Sequence, residues 1–496
     1  MKYTSTRSRV ATVSAAEAIA TGISPEGGLY VPESFPALTP ELLQALLPLG
    51  YAARAARLLP LFLTEFSAAE LERCTAAAYS RFDTPAVVPL HRLEPGVQLL
   101  ELWHGPTCAF KDMALQLLPH LMTLSVQKTA PDEQVVILVA TSGDTGKAAL
   151  EGFRDVPGTK IQVFYPSEGV SEMQRLQMIT QEGENVGVCA IRGNFDDAQT
   201  GVKTLFTDPA MIARLREKGM HFSSANSINW GRLLPQIVYY VSAYCDLLAA
   251  GDIRMGEPIN VVVPTGNFGN ILAAYYARRM GLPVHKLVCA SNRNRVLTDF
   301  FATGTYDCNR PFYTTTSPSM DILVSSNLER LLYHLAGEDS EEICRLMASL
   351  KNERRYTVPA AVKQQMDALF AAGSADDAAV AETVRRTYEE KGYLCDTHTA
   401  VALRVYEEYR TASGDNTPTV IASTASPYKF APAILSALGA PVPQRPYDQL
   451  AALHALTGVA VPQPLEALRG KAPRFTDCCS NDAAGMQAKV CELLHI

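Results

Sequence analysis

Several features that mark binding to nucleic acids or to membrane surfaces are missing from this sequence. Its 496 residues carry a net charge of −7 and contain no cluster of Lys and Arg, although phosphate backbones and anionic lipids are bound through such clusters. The N-terminal segment MKYTSTRSRV is polar and lacks the apolar core of a signal peptide, and no stretch of membrane-spanning length is evident. We therefore expect no nucleic-acid partner and no membrane partner.

The cysteines also lack a functional pattern. None of the 11 cysteines stands in a CxxC pair, so the sequence offers neither a zinc knuckle nor a redox-active dithiol. The adjacent Cys478 and Cys479 have the wrong spacing for tetrahedral zinc capture. We predict reduced thiols in a cytoplasmic protein, and no metal site.

Short apolar runs alternate with helical stretches from Val97 onward. The runs are rich in β-branched residues, which indicates parallel strands that helices cover on both faces. The sequence therefore predicts an α/β protein built on an open parallel sheet. The runs are VVILVA (135–140), IQVFY (161–165), VGVCAI (186–191), NVVVP (260–264), KLVCA (286–290) and TVIAS (419–423).

Changes of composition suggest four regions along the chain. The first ninety or so residues are mainly helical in pattern, and PVPQRP (441–446) is typical of a linker. The Ala-rich, charged stretch between Glu338 and Arg385 has helical spacing, so we predict surface helices there. The regions are a mainly helical N-terminal domain (1–95), a small α/β subdomain (96–220), a large α/β subdomain (221–440) and a C-terminal segment (441–496).

Two glycine-rich turns follow apolar runs and lead into predicted helices. They are TSGDTG (141–146) and PTGNFGN (264–270). The N–H groups at a helix N-terminus bind phosphate or carboxylate, and ligands of open α/β sheets lie beyond the carboxyl ends of the strands. Both turns are therefore placed where a cofactor is expected.

One lysine, Lys111, has small and apolar neighbours in the string WHGPTCAFKD (103–112). The residues CAF (108–110) precede Lys111, and Asp112 and then MAL (113–115) follow it. This pattern indicates the start of a buried helix. Burial lowers the pKa of an amine, and this suits a lysine that must be neutral part of the time. A buried lysine and two turns suited to anions are typical of a pyridoxal 5'-phosphate enzyme. The lysine of such an enzyme forms a Schiff base with the cofactor aldehyde.

Other interpretations of these motifs are weaker or stay open. TSGDTGKAA resembles a nucleotide-binding P-loop, but Thr141 stands where the leading glycine is required and Ala148 where a metal-binding hydroxyl is required. GNFGN lacks the third glycine of a dinucleotide fingerprint. His104 is interpreted either as a base or as a brace of its loop, and His398 is interpreted as structural.

Longer strings give the sequence a resemblance to a known family. They are SPEGGLYVPE (24–33), HGPTCAFKD (104–112), ATSGDTGKAA (140–149), SEMQRLQM (171–178), GNFDDAQ (193–199), NSINWGRLLPQIVYY (226–240), PTGNFGN (264–270), SPSMDILVSSNLERLLY (317–333) and STASPYKF (423–430). The chain resembles the threonine synthases of bacteria and fungi, which are pyridoxal phosphate enzymes of the tryptophan synthase β fold type. The matching segments run almost from end to end.

The resemblance implies roles for the matching residues. Lys111 is expected to hold the cofactor and to act as the catalytic base, and Thr424 is expected near the pyridine nitrogen. The loop expected to bind the cofactor phosphate consists of Gly266, Asn267, Phe268, Gly269 and Asn270. The residues expected to bind substrate are Ser142, Gly143, Asp144 and Thr145 at the α-carboxylate, and Asn226, Asn229 and Arg232 near the substrate phosphate. Relatives commonly have histidine where this chain has Ser426.

The resemblance also implies the reaction. It predicts conversion of O-phospho-L-homoserine and water to L-threonine and phosphate, by elimination at Cγ and hydration at Cβ, as the last step of threonine biosynthesis. A threonine-synthase-like phospho-lyase that yields a 2-keto acid stays an alternative, because the motifs do not separate the two. Outside pyridoxal chemistry, the alternative is a P-loop-like nucleotide-binding protein. We expect a monomer or a homodimer.

Overall fold

A computed structural model describes residues 1–141, 143–168 and 170–496. Ser142, predicted to bind substrate, lies outside the described residues. The strands are β1 (Tyr3–Ser5), β2 (Ser8–Val13), β3 (Tyr30–Pro32), β4 (Leu90–Glu94), β5 (Val97–Glu101), β6 (Gln134–Ala140), β7 (Thr159–Pro166), β8 (Val186–Arg192), β9 (Met220–Ser223), β10 (Ile259–Pro264), β11 (Val284–Ser291), β12 (Thr305–Asp307), β13 (Arg355–Thr357), β14 (Phe370–Ser374), β15 (Thr419–Ser423) and β16 (Cys478–Ser480).

Helices fill most of the intervals between these strands. They are α1 (Ala15–Thr21), α2 (Pro40–Leu46), α3 (Tyr51–Leu58), α4 (Ala68–Tyr79), α5 (Asp112–Leu115), α6 (Leu118–Thr129), α7 (Asp144–Phe153), α8 (Glu172–Ile179), α9 (Phe195–Thr207), α10 (Pro209–Glu217), α11 (Trp230–Ala250), α12 (Gly269–Arg279), α13 (Val296–Thr303), α14 (Leu328–Leu335), α15 (Ser340–Glu353), α16 (Ala360–Leu369), α17 (Asp377–Lys391), α18 (Thr397–Ser413), α19 (Ala431–Ala437), α20 (Pro446–Thr457), α21 (Gln463–Glu466) and α22 (Ala483–Leu494).

The larger sheet has the strand order β14-β11-β10-β15-β5-β4. Its strands run parallel except β4, which pairs antiparallel with β5. At its centre, Val262 of β10 pairs with Val288 of β11 on one side and with Ile421 of β15 on the other. All residues of β10 and β15 are buried, as expected for strands covered on both faces. The predicted strands NVVVP, KLVCA and TVIAS are confirmed.

The smaller sheet has the order β16-β8-β7-β6-β9 and is parallel throughout. The predicted strands VVILVA, IQVFY and VGVCAI are confirmed as parts of β6, β7 and β8. The C-terminal strand β16 returns to this sheet and pairs with β8. Together the two sheets confirm the predicted open, parallel α/β architecture.

The N-terminal part is mainly helical, as predicted, with a small antiparallel sheet of order β2-β1-β3 added to it. Capping boxes start two of its helices, with Ser14 and Glu17 at α1 and Ser67 and Glu70 at α4. An ion pair of 2.7 Å between Arg7 and Glu329 ties this part to α14.

One stretch that we predicted to be helical also contains strands. Between Glu338 and Arg385, the helices α15, α16 and α17 are separated by β13 and β14, and β14 forms an edge of the larger sheet beside β11. Its sequence, FAAGS, is poor in strand-forming residues, so the local composition hides it. Tertiary contacts determine that this segment forms a strand. Val405 packs closely on Gly373, where an added Cβ would lie 2.8 Å from the Cγ1 of Val405.

Helix α11 runs through the core. It is 21 residues long and, by length and composition, apolar enough to cross a membrane, so our expectation that no such stretch exists is wrong. However, 78% of its most apolar window is buried inside the protein. Its first turn carries the buried residues Trp230 and Arg232. The charge of Arg232 acts on Lys111, so α11 is a core helix that also contributes to the candidate site.

The sheets cross the region boundaries that we expected from the sequence. Strands β4 and β5 belong to the larger sheet with β10, β11, β14 and β15, and β16 belongs to the smaller sheet. The regions 1–95, 96–220, 221–440 and 441–496 therefore stay predictions about folding units.

Gly152 allows α7 to pack closely against the end of α5. A Cβ at this position would lie 2.0 Å from the carbonyl oxygen of Leu115, and a backbone oxygen cannot swing aside. We predict that Gly152→Ala lowers the free energy of unfolding by about 1 to 3 kcal/mol, as measured by urea denaturation. Gly50→Ala is the control, since nothing lies within 4 Å of its added Cβ. Equal stability of the two variants would contradict this prediction.

Candidate active site

Lys111 stands at the carboxyl edge of the larger sheet, in the loop between β5 and α5. This loop pairs with the segment that follows β15. Ala109 forms an antiparallel bridge with Ala425, and Phe110 donates its N–H to the carbonyl of Thr424 at 2.8 Å. Two neighbouring strand ends therefore fix the backbone of the lysine.

The turn before Lys111 is closed by the buried carboxylate of Asp112. Thr107 donates its N–H to Oδ2 at 2.8 Å and its hydroxyl to Oδ1 at 2.7 Å. Burial raises the pKa of Asp112 to about 6 in spite of these bonds. A Cβ at Gly105 would lie 2.5 Å from the Asp112 Cβ, so the turn requires glycine there.

The amine of Lys111 is partly desolvated. Its Nζ lies 3.5 Å from the Oγ of Ser319. Burial lowers the pKa of Lys111 to about 8. Asp144 opposes this shift, while the positive charges of Lys429 and Arg232 add to it. An amine with this pKa is partly neutral near neutral pH, as a nucleophile or a base must be.

The turn between β10 and α12 presents free donors. In the part of the chain that the structure describes, the N–H groups of residues 266–270 donate to no acceptor. The Oδ1 of Asn270 accepts a hydrogen bond from the hydroxyl of Tyr240, but the buried Nδ2 has no partner among the described residues. Unsatisfied donors at a helix N-terminus are the chemistry that binds a phosphate group.

Close packing and an unusual backbone angle shape this turn. A Cβ at Gly266 would lie 2.7 Å from the carbonyl oxygen of Ser319. Phe268 has a left-handed φ of 66° with a buried side chain. At Gly269, an added Cβ would meet nothing nearer than 3.5 Å. Position 266 is therefore restricted to glycine by space, whereas position 269 is not.

The second glycine turn closes on the hydroxyl of Thr141. This hydroxyl accepts the N–H groups of Gly143 at 3.0 Å and Gly146 at 2.9 Å. Gly143 has a φ of 146°, which residues with side chains rarely adopt. The N–H groups of Asp144 and Thr145, the first residues of α7, have no acceptor among the described residues. Two N–H groups at a helix N-terminus that no described residue accepts are suited to a carboxylate.

The carboxylate of Asp144 is occupied within the protein. The Nζ of Lys429 lies 2.6 Å from its Oδ1, and the Nε2 of Gln174 lies 2.8 Å from it. Burial alone would raise the pKa of Asp144, but Lys429 and Lys111 hold it well below its ordinary value. Because this side chain is negatively charged, only the N–H of Asp144 is suited to a substrate carboxylate.

Lys147, the lysine of the P-loop-like string, is bound inside the smaller subdomain. Its Nζ lies 3.1 Å from a carboxylate oxygen of Glu151 and also donates to Gln181. Burial lowers the pKa of Lys147, and Glu151 opposes that shift. The amine is therefore engaged by protein groups, which removes the main support for a nucleotide site.

The two asparagines before α11 have different surroundings. Asn229 caps the helix by accepting the N–H of Gly231 at 2.8 Å. Its Nδ2 donates to the carbonyls of Ile19 at 2.9 Å and Ser224 at 3.0 Å, so both amide hydrogens are used. Asn226 is only partly buried, and its side chain bonds no group in the described parts of the chain.

Arg232 is a buried cation with a free donor. Its Nη1 donates to the carbonyl of Ala225, while its buried Nε has no partner among the residues described. Burial lowers the pKa of Arg232 to about 10, which leaves it charged at neutral pH. Its charge is felt by Lys111. A desolvated guanidinium with an unused donor is suited to binding an anion beside the reactive amine.

Thr424 and Ser426 follow β15, on the loop that pairs with the lysine loop. Both side chains are buried. The N–H of Ser426 donates to the carbonyl of Cys108 at 3.1 Å, and its Oγ accepts the N–H of Tyr428 at 3.4 Å. Ser426 thus caps the single helical turn Pro427–Phe430, which gives this position a structural role.

Both histidines near the site brace backbone segments. His104 lies between two carboxylates, with Nδ1 at 2.6 Å from Asp83 and Nε2 at 2.8 Å from Glu101. Burial would lower its pKa, but these partners raise it to about 9. The Nε2 of His398 accepts the N–H of Ser319 at 3.1 Å. Of the two interpretations of His104, the geometry favours the brace.

Three residues of the site escaped the sequence-based prediction: Ser319, Lys429 and Gln174. Each lies inside a string that carries the family resemblance, so the signal for their regions was present. Spacing along the chain does not show which side chains of a loop turn toward Lys111. Only the folded arrangement identifies them.

Matches to known families agree with this geometry. Residues 2–79 match the threonine synthase N terminus, residues 80–425 match the pyridoxal-phosphate dependent enzymes, and residues 399–490 match the threonine synthase C-terminal family. The chain therefore belongs to the pyridoxal-phosphate dependent enzyme family, as predicted. The free donors of residues 266–270 fit the cofactor phosphate, and Lys111 fits its aldehyde.

Individual relatives narrow this class. The chain is 39% identical to threonine synthase of Pseudomonas aeruginosa, over 88% of this chain and 90% of that protein. It superimposes on the pyridoxal-phosphate-bound threonine synthase of Brucella melitensis with a TM-score of 0.88, at 36% identity over 99% of both chains. For the yeast threonine synthase the TM-score is 0.89 at 31% identity, over 100% of this chain and 99% of that one. The chain belongs to the threonine synthase family.

Longer relatives also match. The human threonine synthase-like 1 is 42% identical over 85% of this chain. The chain spans 58% of the length of that relative and of its orangutan and macaque counterparts.

The Asp144 and Lys429 pair gives a pH-dependent prediction. We expect Lys429→Met to lower the free energy of unfolding by about 3 to 5 kcal/mol near neutral pH, because Asp144 stays buried without its partner. In the variant, we expect burial to outweigh the attraction that Lys111 still exerts, so that the folded-state pKa of Asp144 rises above its unfolded value. Lower pH then favours the folded variant, so the deficit relative to the wild type should shrink on acidification.

Denaturant titrations at neutral and mildly acidic pH measure this deficit. Lys363→Met is the matched control, because it removes a lysine whose partner Asp367 is largely exposed, and exposed pairs contribute little. A deficit no larger than that of the control, or one that does not change with pH, would show that the pair is not buried as described.

Proposed function

We propose that this enzyme converts O-phospho-L-homoserine and water to L-threonine and phosphate, the last step of threonine biosynthesis. The names of its relatives from Pseudomonas aeruginosa, Brucella melitensis and yeast support threonine as the product. The observation that carries the proposal is two groups of donors without an acceptor among the described residues, the N–H groups of 266–270 and the Nε of Arg232. We assign an anion to each. A pyridoxal phosphate enzyme that acts on a phosphate ester needs both.

The substrate carboxylate and phosphate are assigned to separate groups. The N–H groups of Asp144 and Thr145 suit the α-carboxylate, since α7 directs its positive end there. The Gly143 N–H is taken by Thr141, so that glycine contributes its backbone shape. Arg232 suits the phosphate ester, with the partly exposed Asn226 as a second contact.

Of the remaining predicted site residues, one loses its assignment and the others keep theirs. Asn229 is left out of the substrate site, because both of its amide hydrogens are used within the protein. Thr424 is assigned to the pyridine nitrogen of the cofactor, and its neutral hydroxyl would not enforce protonation there as a carboxylate does. Residues 266–270 are assigned to the cofactor phosphate.

The chain's own residues then handle protons and charge. When bound, pyridoxal phosphate withdraws electrons from the amine-bearing carbon of the substrate, which makes neighbouring C–H groups acidic. Lys111, with its pKa lowered to about 8, takes the proton from Cα and then one from Cβ as the phosphate leaves Cγ, and it returns protons to Cγ and Cα when water adds at Cβ. Arg232 stabilises the negative charge that grows on the phosphate as it leaves Cγ.

A second product is the competing hypothesis. It is the phospho-lyase alternative, in which phosphate leaves and a 2-keto acid forms without threonine, because the motifs of the sequence do not separate the two reactions. The cytoplasmic location and the monomeric or homodimeric state also stand as proposals.

Borohydride reduction of the holoenzyme tests the role of Lys111. We expect peptide mapping to place the pyridoxyl group on Lys111, because Lys429 and Lys147 are engaged by Asp144 and Glu151. Recovery of the label on either of those lysines would refute the assignment. Lys111→Ala should yield no labelled peptide.

The substrate site is tested by Arg232→Ala. Because hydrogen bonds to charged groups contribute roughly 1.5 to 3 kcal/mol, we expect kcat/KM for O-phospho-L-homoserine to fall by about 10- to 100-fold. The cofactor absorbance should stay that of the wild type. Arg57→Ala, which removes an exposed arginine of α3, is the control. An unaffected Arg232 variant would move the phosphate contact elsewhere, and phosphate formed with 2-oxobutyrate but no threonine would establish the phospho-lyase instead.

A further inference from the structure

Arg330 is a buried cation that no carboxylate bonds among the described residues. Its side chain is fully buried in α14. The Nε donates to the carbonyl of Tyr30 at 3.0 Å, and Nη2 donates to the carbonyl of Ile228 at 2.6 Å. The Nη1 donates to the Oδ1 of Asn327 at 2.6 Å. Burial lowers the pKa of Arg330 to about 10, so the group stays charged at neutral pH and is surrounded by neutral dipoles.

The nearest carboxylate in sequence raises the pKa of Arg330 through space, but its hydrogen bonds go to other groups. Glu329 accepts hydrogen bonds from the Nε of Arg7 at 2.9 Å, from its Nη2 at 2.7 Å and from the hydroxyl of Thr6 at 2.6 Å. Glu329 is therefore neutralised by Arg7. A buried guanidinium without its own counter-charge is costly, which indicates that an anion completes this region.

Asn327 connects Arg330 to the turn that presents free donors. Its N–H and its Nδ2 both donate to the carbonyl of Asn267 at 3.1 Å. The C=O and N–H of a trans peptide point in opposite directions. Holding the Asn267 carbonyl toward Asn327 therefore turns the N–H of Phe268 to the opposite side, where it joins the free donors of the turn.

We propose that Arg330 is the counter-charge of the cofactor phosphate and, through Asn327, a positioning residue of the turn that binds it. A dianion on the turn relieves the unbalanced charge of Arg330, and this attraction acts on the phosphate and not on the pyridine ring. The proposal rests on the cofactor of the family and not on the substrate. A different substrate would leave it standing.

Cofactor affinity with and without the phosphate group tests this role directly. Apo-protein is titrated with pyridoxal 5'-phosphate and with pyridoxal, which lacks the phosphate, and Kd is measured for each. Arg330→Gln keeps an amide donor but removes the charge. We expect its Kd for pyridoxal phosphate to rise by about 10- to 100-fold, while its Kd for pyridoxal stays near the wild-type value.

A matched control and a second variant keep the test decisive. Arg54→Gln removes another buried arginine, which bonds the carbonyls of Leu46 and Leu47 and the carboxylate of Asp246, and should leave the ratio of the two Kd values unchanged. If Arg330→Gln does not fold, Asn327→Asp neutralises Arg330 with an adjacent carboxylate and should change the ratio in the same direction. An equal loss of affinity for both ligands, or an unchanged Kd for pyridoxal phosphate, would overturn the proposal.

Discussion

The buried ion pair of Asp144 and Lys429 joins the two sheets at the active site. Asp144 begins the helix that follows β6 of the smaller sheet, and Lys429 follows β15 of the larger sheet. Neither can leave the other without exposing an unpaired charge to a medium of low dielectric constant. The position of the turn at Gly143 relative to Lys111 therefore depends on this pair. The same two charges act in opposite directions on the pKa of Lys111.

Near this pair lie positive charges without a bonded carboxylate and N–H donors without an acceptor among the described residues. Arg232 and Arg330 are buried without a bonded carboxylate among the described residues, and the N–H groups of residues 266–270 remain free. Such groups destabilise the folded protein unless anions complete them. The arrangement thus favours a ligand set with two separate phosphates, one held at the glycine turn and one beside the reactive lysine.

The regular parts of the fold were predictable because they obey local rules. Continuous β-branched runs marked the six inner strands, and the glycine-rich strings marked turns that lead from strand to helix. Strand β14 was not predictable, since FAAGS forms a strand only through its ladder with β11. The site shows the same limit. Lys111 was identified from its neighbours in sequence. Ser319 lies 208 positions away along the chain, and the pattern of residues does not show that the fold brings the two side chains together.

The claim that the site holds two separate phosphates is tested most directly by a crystal structure of the holoenzyme with a non-hydrolysable phosphonate analogue of O-phospho-L-homoserine. Anomalous or difference density should show two phosphorus positions. One should lie on the N–H groups of residues 266–270, and the other should lie within hydrogen-bond distance of the Arg232 guanidinium. A phosphonate bound away from Arg232, or a cofactor phosphate bound away from the turn, would contradict the assignment of the two anion sites.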